Sequence, residues 1–350
     1  MESVTDILVQ PTCEALNNTA RAADFSYGDA FRQASDSIRW ELESVETMLR
    51  TELACKDTRV AEILDYVAEF GGKRLRPCLL LLSAKASGQI TEESIRLATV
   101  VELVHTATLL HDDVLDQATM RRHKPSVHTR WSVSTSILSG DWLFAQAYAL
   151  ANRGVSTLPG RWIATAAKQV CEGEMLQGMS VHNFAIGVEH YLRLVEGKTG
   201  ALCAVSCALG AWSGGGDEKT CFRMQQFGLK LGTAFQIADD WLDVWGRTEQ
   251  AGKTLGTDLA TFKPTLPSIR TLERLPSHVR RQLIQRLDAG DQEAALELRR
   301  LADDGDASEY TLSVAQRLID EATESLGGVS VSPAIAHLAK LAQLACRRDR

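Results

Sequence analysis

Two short runs place three aspartates each on segments that are otherwise apolar. In the run 109–116, Asp112, Asp113 and Asp116 follow Leu109-Leu110-His111 and enclose Val114-Leu115. Asp112 and Asp116 are four apart, which on a helix stacks them on one face roughly 5–6 Å from each other. The run 235–243 repeats the arrangement with Asp239, Asp240 and Asp243, 127 positions later (239 − 112). Phe235, Ile237, Trp241, Leu242 and Trp245 surround the second cluster and leave little polar face for water. Carboxylates in such a setting need a compensating cation, because an unpaired buried charge costs several kcal/mol or is neutralised. Mg2+ prefers one or two carboxylates plus waters and substrate phosphates, so two short carboxylate grips predict a metal-bridged phosphate. Only His111 supplies a nitrogen ligand near either cluster, which disfavours zinc.

Cations follow the same logic. Gly71-Gly72-Lys73-Arg74-Leu75-Arg76-Pro77 places three of them on a turn before a helix that Pro77 is expected to open, an anion pocket by dipole and charge together. Arg121 and Arg122 follow the first aspartate cluster closely enough to fold back toward a bound diphosphate. His105 lies seven residues before Asp112, close to two helical turns away on the same face. Lys198-Thr199 sits in Glu196-Gly197-Lys198-Thr199-Gly200, which lacks the glycine spacing and preceding strand of a nucleotide-binding loop. Lys253 and Lys263 bracket Asp258 in a segment after the second acidic helix, where a lid over phosphates is expected.

The elements that must hold these groups are helical. Apolar residues recur at helical spacing over residues 94–116, 134–151 and 219–245, and only eight prolines occur in 350 residues. Turn signals separate about ten to twelve helices, which predicts an all-α chain: one large helical bundle around a central cavity. Residues 1–30 have weak periodicity and are expected to be loosely ordered, with a single domain over 31–350. Ser332 and Pro333 read as the N-cap and first residue of a last helix. Hydrophobic residues make up 45% of the chain, enough for a substantial core, and no run is apolar for long enough to suggest a membrane span. The net charge of −7 argues against a nucleic-acid partner. Eight scattered cysteines and a start without a basic or apolar leader point to a reduced, cytoplasmic location.

In this order, the motifs resemble the trans-polyprenyl diphosphate synthase family, the class I isoprenyl diphosphate synthases. The resemblance runs from about Gly71 to Pro267. It rests on the Gly-Gly-Lys-x-x-Arg-Pro turn, both DDxxD clusters, Arg121-Arg122, Gly140-Asp141, Gly173-Glu174-Met175-Leu176-Gln177, Lys198-Thr199 and Gly252-Lys253. It implies a prenyltransferase of the isoprenoid synthase fold that joins isopentenyl diphosphate to an allylic diphosphate. By the same resemblance Lys73, Arg76, His105 and Arg122 hold isopentenyl diphosphate, while Arg121, Lys198, Lys253 and Lys263 serve as cationic substrate contacts. Asp112, Asp116, Asp239 and Asp243 bind Mg2+, three ions with substrate bound, and Thr199 and Gln236 present oxygen atoms to the allylic cation. A homodimer is also implied. Two positions depart from the family pattern: His123 stands where a Gly usually follows the Arg pair, and Phe262 where Gly is common before Lys263.

In that family, residues just upstream of the first cluster limit chain growth. Ala107 and Thr108 are small here, and helical geometry lines Thr108 and Val104 up beneath Asp112. The expectation is therefore a long all-trans product, around C30 or beyond, with Leu143, Met175 or Met179 as other residues able to close the tunnel. A short-chain farnesyl or geranylgeranyl diphosphate synthase is the alternative. A terpene cyclase or head-to-head synthase is not expected to combine the Gly-Gly-Lys-x-x-Arg turn with a full second cluster. A non-catalytic subunit of a heteromeric synthase is expected to have lost aspartates, and all six are present.

Overall fold

The computed structural model describes residues 26–246 and 256–346. The chain forms an all-α bundle whose helices, in order, are α1 (Tyr27–Asp36), α2 (Arg39–Glu52), α3 (Thr58–Ala68), α4 (Leu75–Ser87) and α5 (Glu92–Leu115). A two-stranded hairpin (β1, Met120–Arg121; β2, Lys124–Pro125) and the short α6 (Val127–Arg130) lead into α7 (Val133–Ala151) and α8 (Leu158–Ser180). Next come α9 (Val188–Val195), a π-helical turn (Glu196–Gly200), α10 (Ala201–Ser213) and α11 (Glu218–Trp245). The short α12 (Thr257–Ala260) is followed by α13 (Leu266–Arg274), α14 (Ser277–Asp288), α15 (Gln292–Asp304), α16 (Ala307–Leu326) and α17 (Pro333–Ala345). Residues 1–25 lie outside the described part, and the last residues of the expected loose segment begin α1.

The two long helices that carry the aspartates start where their caps dictate. Thr91 caps α5 through a reciprocal pair with Ser94, with Glu92 and Glu93 favourably placed in the first turn. Asp217 caps α11 by accepting from the Thr220 amide at 2.8 Å. Around them, α4, α10 and α16 pack a continuous core in which Leu79 to Leu82 and Leu97, Val100, Val101 and Val104 are fully buried. A satellite core of Phe184, Phe262, Leu272, Leu283, Leu287 and Leu298 sits under α12 to α15.

Two sequence expectations need correction. The α4 helix opens at Leu75 rather than Pro77, so Arg76 is helical. The stretch Val188–Ser213 is long and apolar enough to cross a membrane, which the sequence reading did not anticipate. Its most apolar window is 78% buried inside the bundle, as a core helix requires.

Candidate active site

At the C-terminal end of α5 the three aspartates of the first cluster separate by function. Asp113 is fully buried and accepts from Arg121 Nε at 2.8 Å, so this carboxylate fastens the hairpin to the helix. Asp112 is half-buried, and burial pushes its carboxyl up to about 7, with Lys198 opposing and Glu174 and Asp116 adding to the rise. Asp116 is exposed at the helix end and accepts from Lys263 Nζ at 2.7 Å. Beside Asp112 and Asp116 lies a cavity of about 430 Å³, walled by Thr108, Leu115, Phe144, Val170, Cys171 and Met175, with Glu174 and Lys263 at the polar end.

The second cluster lies on α11, and the π turn brings the charge of Lys198 to bear on Asp112. Gly173 on α8 has no room for a Cβ, which would strike the backbone nitrogen of Lys198. That close approach sets Lys198 Nζ 2.6 Å from Glu174 and 2.5 Å from Gln177, which accounts for the Gly-Glu-x-x-Gln motif. The wide π turn also aims Thr199, whose hydroxyl donates to Gln236 Oε1 at 3.0 Å. Asp239 is half-buried, Asp240 is buried, and Asp243 is buried under α12. Asp243 accepts from the amides of Thr257 and Asp258 and from the Thr257 hydroxyl, at 3.0–3.2 Å. It anchors the start of α12, a role the sequence did not suggest.

The expected anion pocket divides in the same way. Arg74, at a positive φ of 52°, is consumed by Glu46 at 2.5 Å and Glu102 at 2.6 Å. Lys73 is exposed, with its ammonium 5.8 Å from the Tyr27 ring centre. Arg76 keeps a buried Nε that no protein group satisfies. His105 is held well below its ordinary range by burial first and then by Arg76, Arg122, Arg121 and Arg74, so it is a neutral imidazole. Arg122 donates to the carbonyls of Phe70 and Gly71. A Cβ on Gly72 would lie 2.5 Å from that guanidinium, so a side chain there would displace Arg122 from the two carbonyls. Tyr27 was missed because its signal, an aromatic in a segment of weak periodicity, is not specific.

Lys263 reaches the first cluster from the chain that follows the second, and Phe262 packs its ring 4.7 Å from His182 to hold it there. Lys253 lies outside the described residues. Arg122 (φ 50°), His123 (φ 65°) and Phe262 (φ 55°) all adopt left-handed backbone. His123 and Phe262 are the two positions that depart from glycine, and the geometry explains why glycine suits them.

A family model for polyprenyl synthetase matches residues 57–303. This chain belongs to the polyprenyl synthetase family. A short chain isoprenyl diphosphate synthase from Methanothermobacter thermautotrophicus is 33% identical over 322 residues, 90% of this chain and 95% of that protein. A decaprenyl diphosphate synthase from Rhodobacter capsulatus superposes with a TM-score of 0.86 at 31% identity, covering 91% of this chain and 99% of its own. A polyprenyl synthase from Caulobacter crescentus, solved with calcium and isoprenyl diphosphate, gives 0.85 at 31% identity over 91% and 98%. The all-α isoprenoid synthase fold and a prenyltransferase activity follow for this polyprenyl synthetase.

The relatives include both a short-chain enzyme and a decaprenyl one, so the cavity floor of this polyprenyl synthetase matters. Thr108 lines the cavity, but its hydroxyl is tied to the His105 carbonyl at 2.8 Å. Ala107 and Val104 are fully buried in the main core and are not among the residues that line this cavity. Leu143 is also fully buried, Met175 lines the cavity while 61% exposed, and Met179 is 71% exposed. The side chain that faces the cavity from α7 is Phe144, with ring centres 5.9 Å from His111 and 6.4 Å from Tyr148. Sequence reasoning passed over it, although the Gly140-Asp141 motif lies one turn earlier on α7.

Proposed function

We propose that this prenyltransferase condenses isopentenyl diphosphate with an allylic prenyl diphosphate, releases diphosphate, and repeats the step to give a long all-trans polyprenyl diphosphate. The observation that carries the reading is the apolar cavity of about 430 Å³ whose polar end is Asp112, Asp116, Glu174 and Lys263. An allylic diphosphate matches both ends of that shape. Asp112, Asp116 and Asp239 are the proposed Mg2+ ligands: their donors are all oxygen, and the burial and neighbouring carboxylates that raise Asp112 are what a divalent cation offsets. Mg2+, when bound, neutralises the departing diphosphate. Lys198 and Lys263 face the same carboxylates, Arg121 acts through Asp113, and Asp243 through the start of α12. Thr199 and Gln236 meet the allylic carbon.

Isopentenyl diphosphate is assigned to Lys73, Arg76, Arg122 and neutral His105, where among the described residues the only carboxylates ion-paired to the turn are Glu46 and Glu102, which hold Arg74. The apolar walls keep water from the allylic cation until the alkene attacks. A homodimer is supported by the exposed Val133, Ile137 and Leu138 on α7 together with Met175, Leu176 and Met179 on α8.

Product length has a second reading. The Phe144–Tyr148 stack favours a shorter product, whereas the lack of any aromatic on α5 below Asp112 favours the longer. Purified enzyme given geranyl, farnesyl or geranylgeranyl diphosphate with labelled isopentenyl diphosphate is expected to yield products of C30 or beyond. Termination at C15 or C20 with every primer would replace the long-chain reading by the short one.

A further inference from the structure

Asp240 is the middle residue of the second cluster, and it is 6% exposed. Both of its oxygens are engaged. Tyr191, 2% exposed on α9, donates its hydroxyl to Oδ2 at 2.6 Å, and Gln236 Nε2 donates to Oδ1 at 2.8 Å. Whether Asp240 is charged or shares a proton with Tyr191 on Oδ2, it presents Oδ1 to Gln236 as an acceptor. The Gln236 amide must therefore turn its NH2 to Asp240 and its Oε1 to Thr199. Thr199 then donates its only proton to that oxygen, at 3.0 Å. What the hydroxyl has left for anything else in the site is lone pairs.

We infer that Tyr191 and Asp240 are positioning residues that lock the Gln236 amide, so that Thr199 meets the developing allylic cation with lone pairs rather than with its O–H bond. The inference rests on the reading that Thr199 and Gln236 flank the allylic group. Its physical content is a polarity choice. An unlocked amide turns its NH2 toward Thr199 in a share of the molecules. The threonine proton then points outward, and the positive end of the O–H dipole opposes ionisation of the allylic diphosphate. Ground-state binding of the two diphosphates, which depends on the metal ligands and the cations, is left nearly unchanged. The loss therefore falls on kcat rather than on KM.

Steady-state kinetics on the full chain with Mg2+ test this with four single variants and one double. Asp240→Asn replaces the acceptor-only group by one that also donates, and is expected to lower kcat about tenfold or more with KM for both substrates within about threefold. Tyr191→Phe keeps the ring packed and is expected to shift kcat the same way by less. Gln236→Glu alone sets two carboxylates against each other and is also expected to be slow. The double variant Asp240→Asn/Gln236→Glu restores an acceptor on both sides of residue 236, toward the Asn amide and toward Thr199, and is expected to recover most of the lost kcat. A merely structural contact would not show that rescue. Wild-type kcat in Asp240→Asn overturns the inference, as does a loss carried by KM or a double variant no better than the singles. If Asp240→Asn does not fold, the double variant is read against Gln236→Glu alone: a higher kcat at constant KM supports the inference, and no gain overturns it. Thr199→Val separates the two levels. Wild-type kcat there overturns the site reading together with the relay, whereas a slow Thr199→Val beside a normal Asp240→Asn overturns the relay only.

Discussion

Asp112 stands half-buried with Glu174 and Asp116 near it, its carboxyl raised to about 7, so the substrate-free fold carries an ionised group it disfavours at neutral pH. A folded-state value above the unfolded one means the stabilising form is the protonated one. Its contribution is complete below about pH 4 and lost as pH rises through about 7. Asp112→Asn is therefore expected to stabilise the metal-free protein at pH 7.5 by about 2 kcal/mol in denaturant unfolding, with the gain vanishing near pH 4. Activity is expected to be lost in the same variant; unchanged stability at pH 7.5 would contradict this account of the site. The linked expectation is that Mg2+ affinity falls as pH drops below about 7, because the ligand must be deprotonated. The sequence presented six aspartates as equals, since spacing marks which residues share a face but not what each touches. Asp113 and Asp240 are spent on Arg121, Tyr191 and Gln236, and Asp243 on the α12 backbone, partners that range from one helical turn away for Gln236 to 49 positions away for Tyr191. Only the Gln236–Asp240 pair has a local spacing that could have shown it.

At the level of elements, the helices were legible and the turns between them were less so. The periodic stretches 94–116, 134–151 and 219–245 match α5, α7 and α11 to within two residues, because caps and apolar faces agree there. The hairpin after α5 was not foreseen, for it is two residues per strand and rests on Arg121 and Arg122 reaching back to Asp113 and to the Phe70 and Gly71 carbonyls. Its corner holds His123 at φ 65°, a conformation that costs a non-glycine residue on the order of 1 kcal/mol. His123→Gly is expected to raise stability by about 0.5 kcal/mol with kcat unchanged, measured by chemical unfolding and turnover. A loss of activity would assign His123 a role at the site. On α7, Phe144→Ala removes the ring that faces the cavity and is expected to lengthen the main product by one or more isoprene units, read by product sizing. An unchanged product would move the floor to another wall. Ala107→Phe, by contrast, forces a ring into a fully buried core position and is expected to destabilise the fold.

For the whole molecule, the sequence carried the all-α class, the order of the motifs and the reaction, because each motif sits on a long helix or beside one. It did not carry how the bundle closes. Lys263 meets Asp116 across 147 positions, and Phe262 secures it on a satellite core that no motif marks. Nor did it flag Val188–Ser213, whose apolar length serves the bundle interior around the π turn that aims Lys198 and Thr199. The central claim is that one chain joins two diphosphates, one held by carboxylates and metal and the other by cations. The most direct measurement is the stoichiometry of the purified chain alone, given farnesyl diphosphate, labelled isopentenyl diphosphate and Mg2+. One diphosphate released for every isopentenyl unit incorporated, abolished by a chelator and by Asp112→Asn, is the predicted result. Release of diphosphate from the allylic substrate while isopentenyl diphosphate remains unconsumed would contradict it.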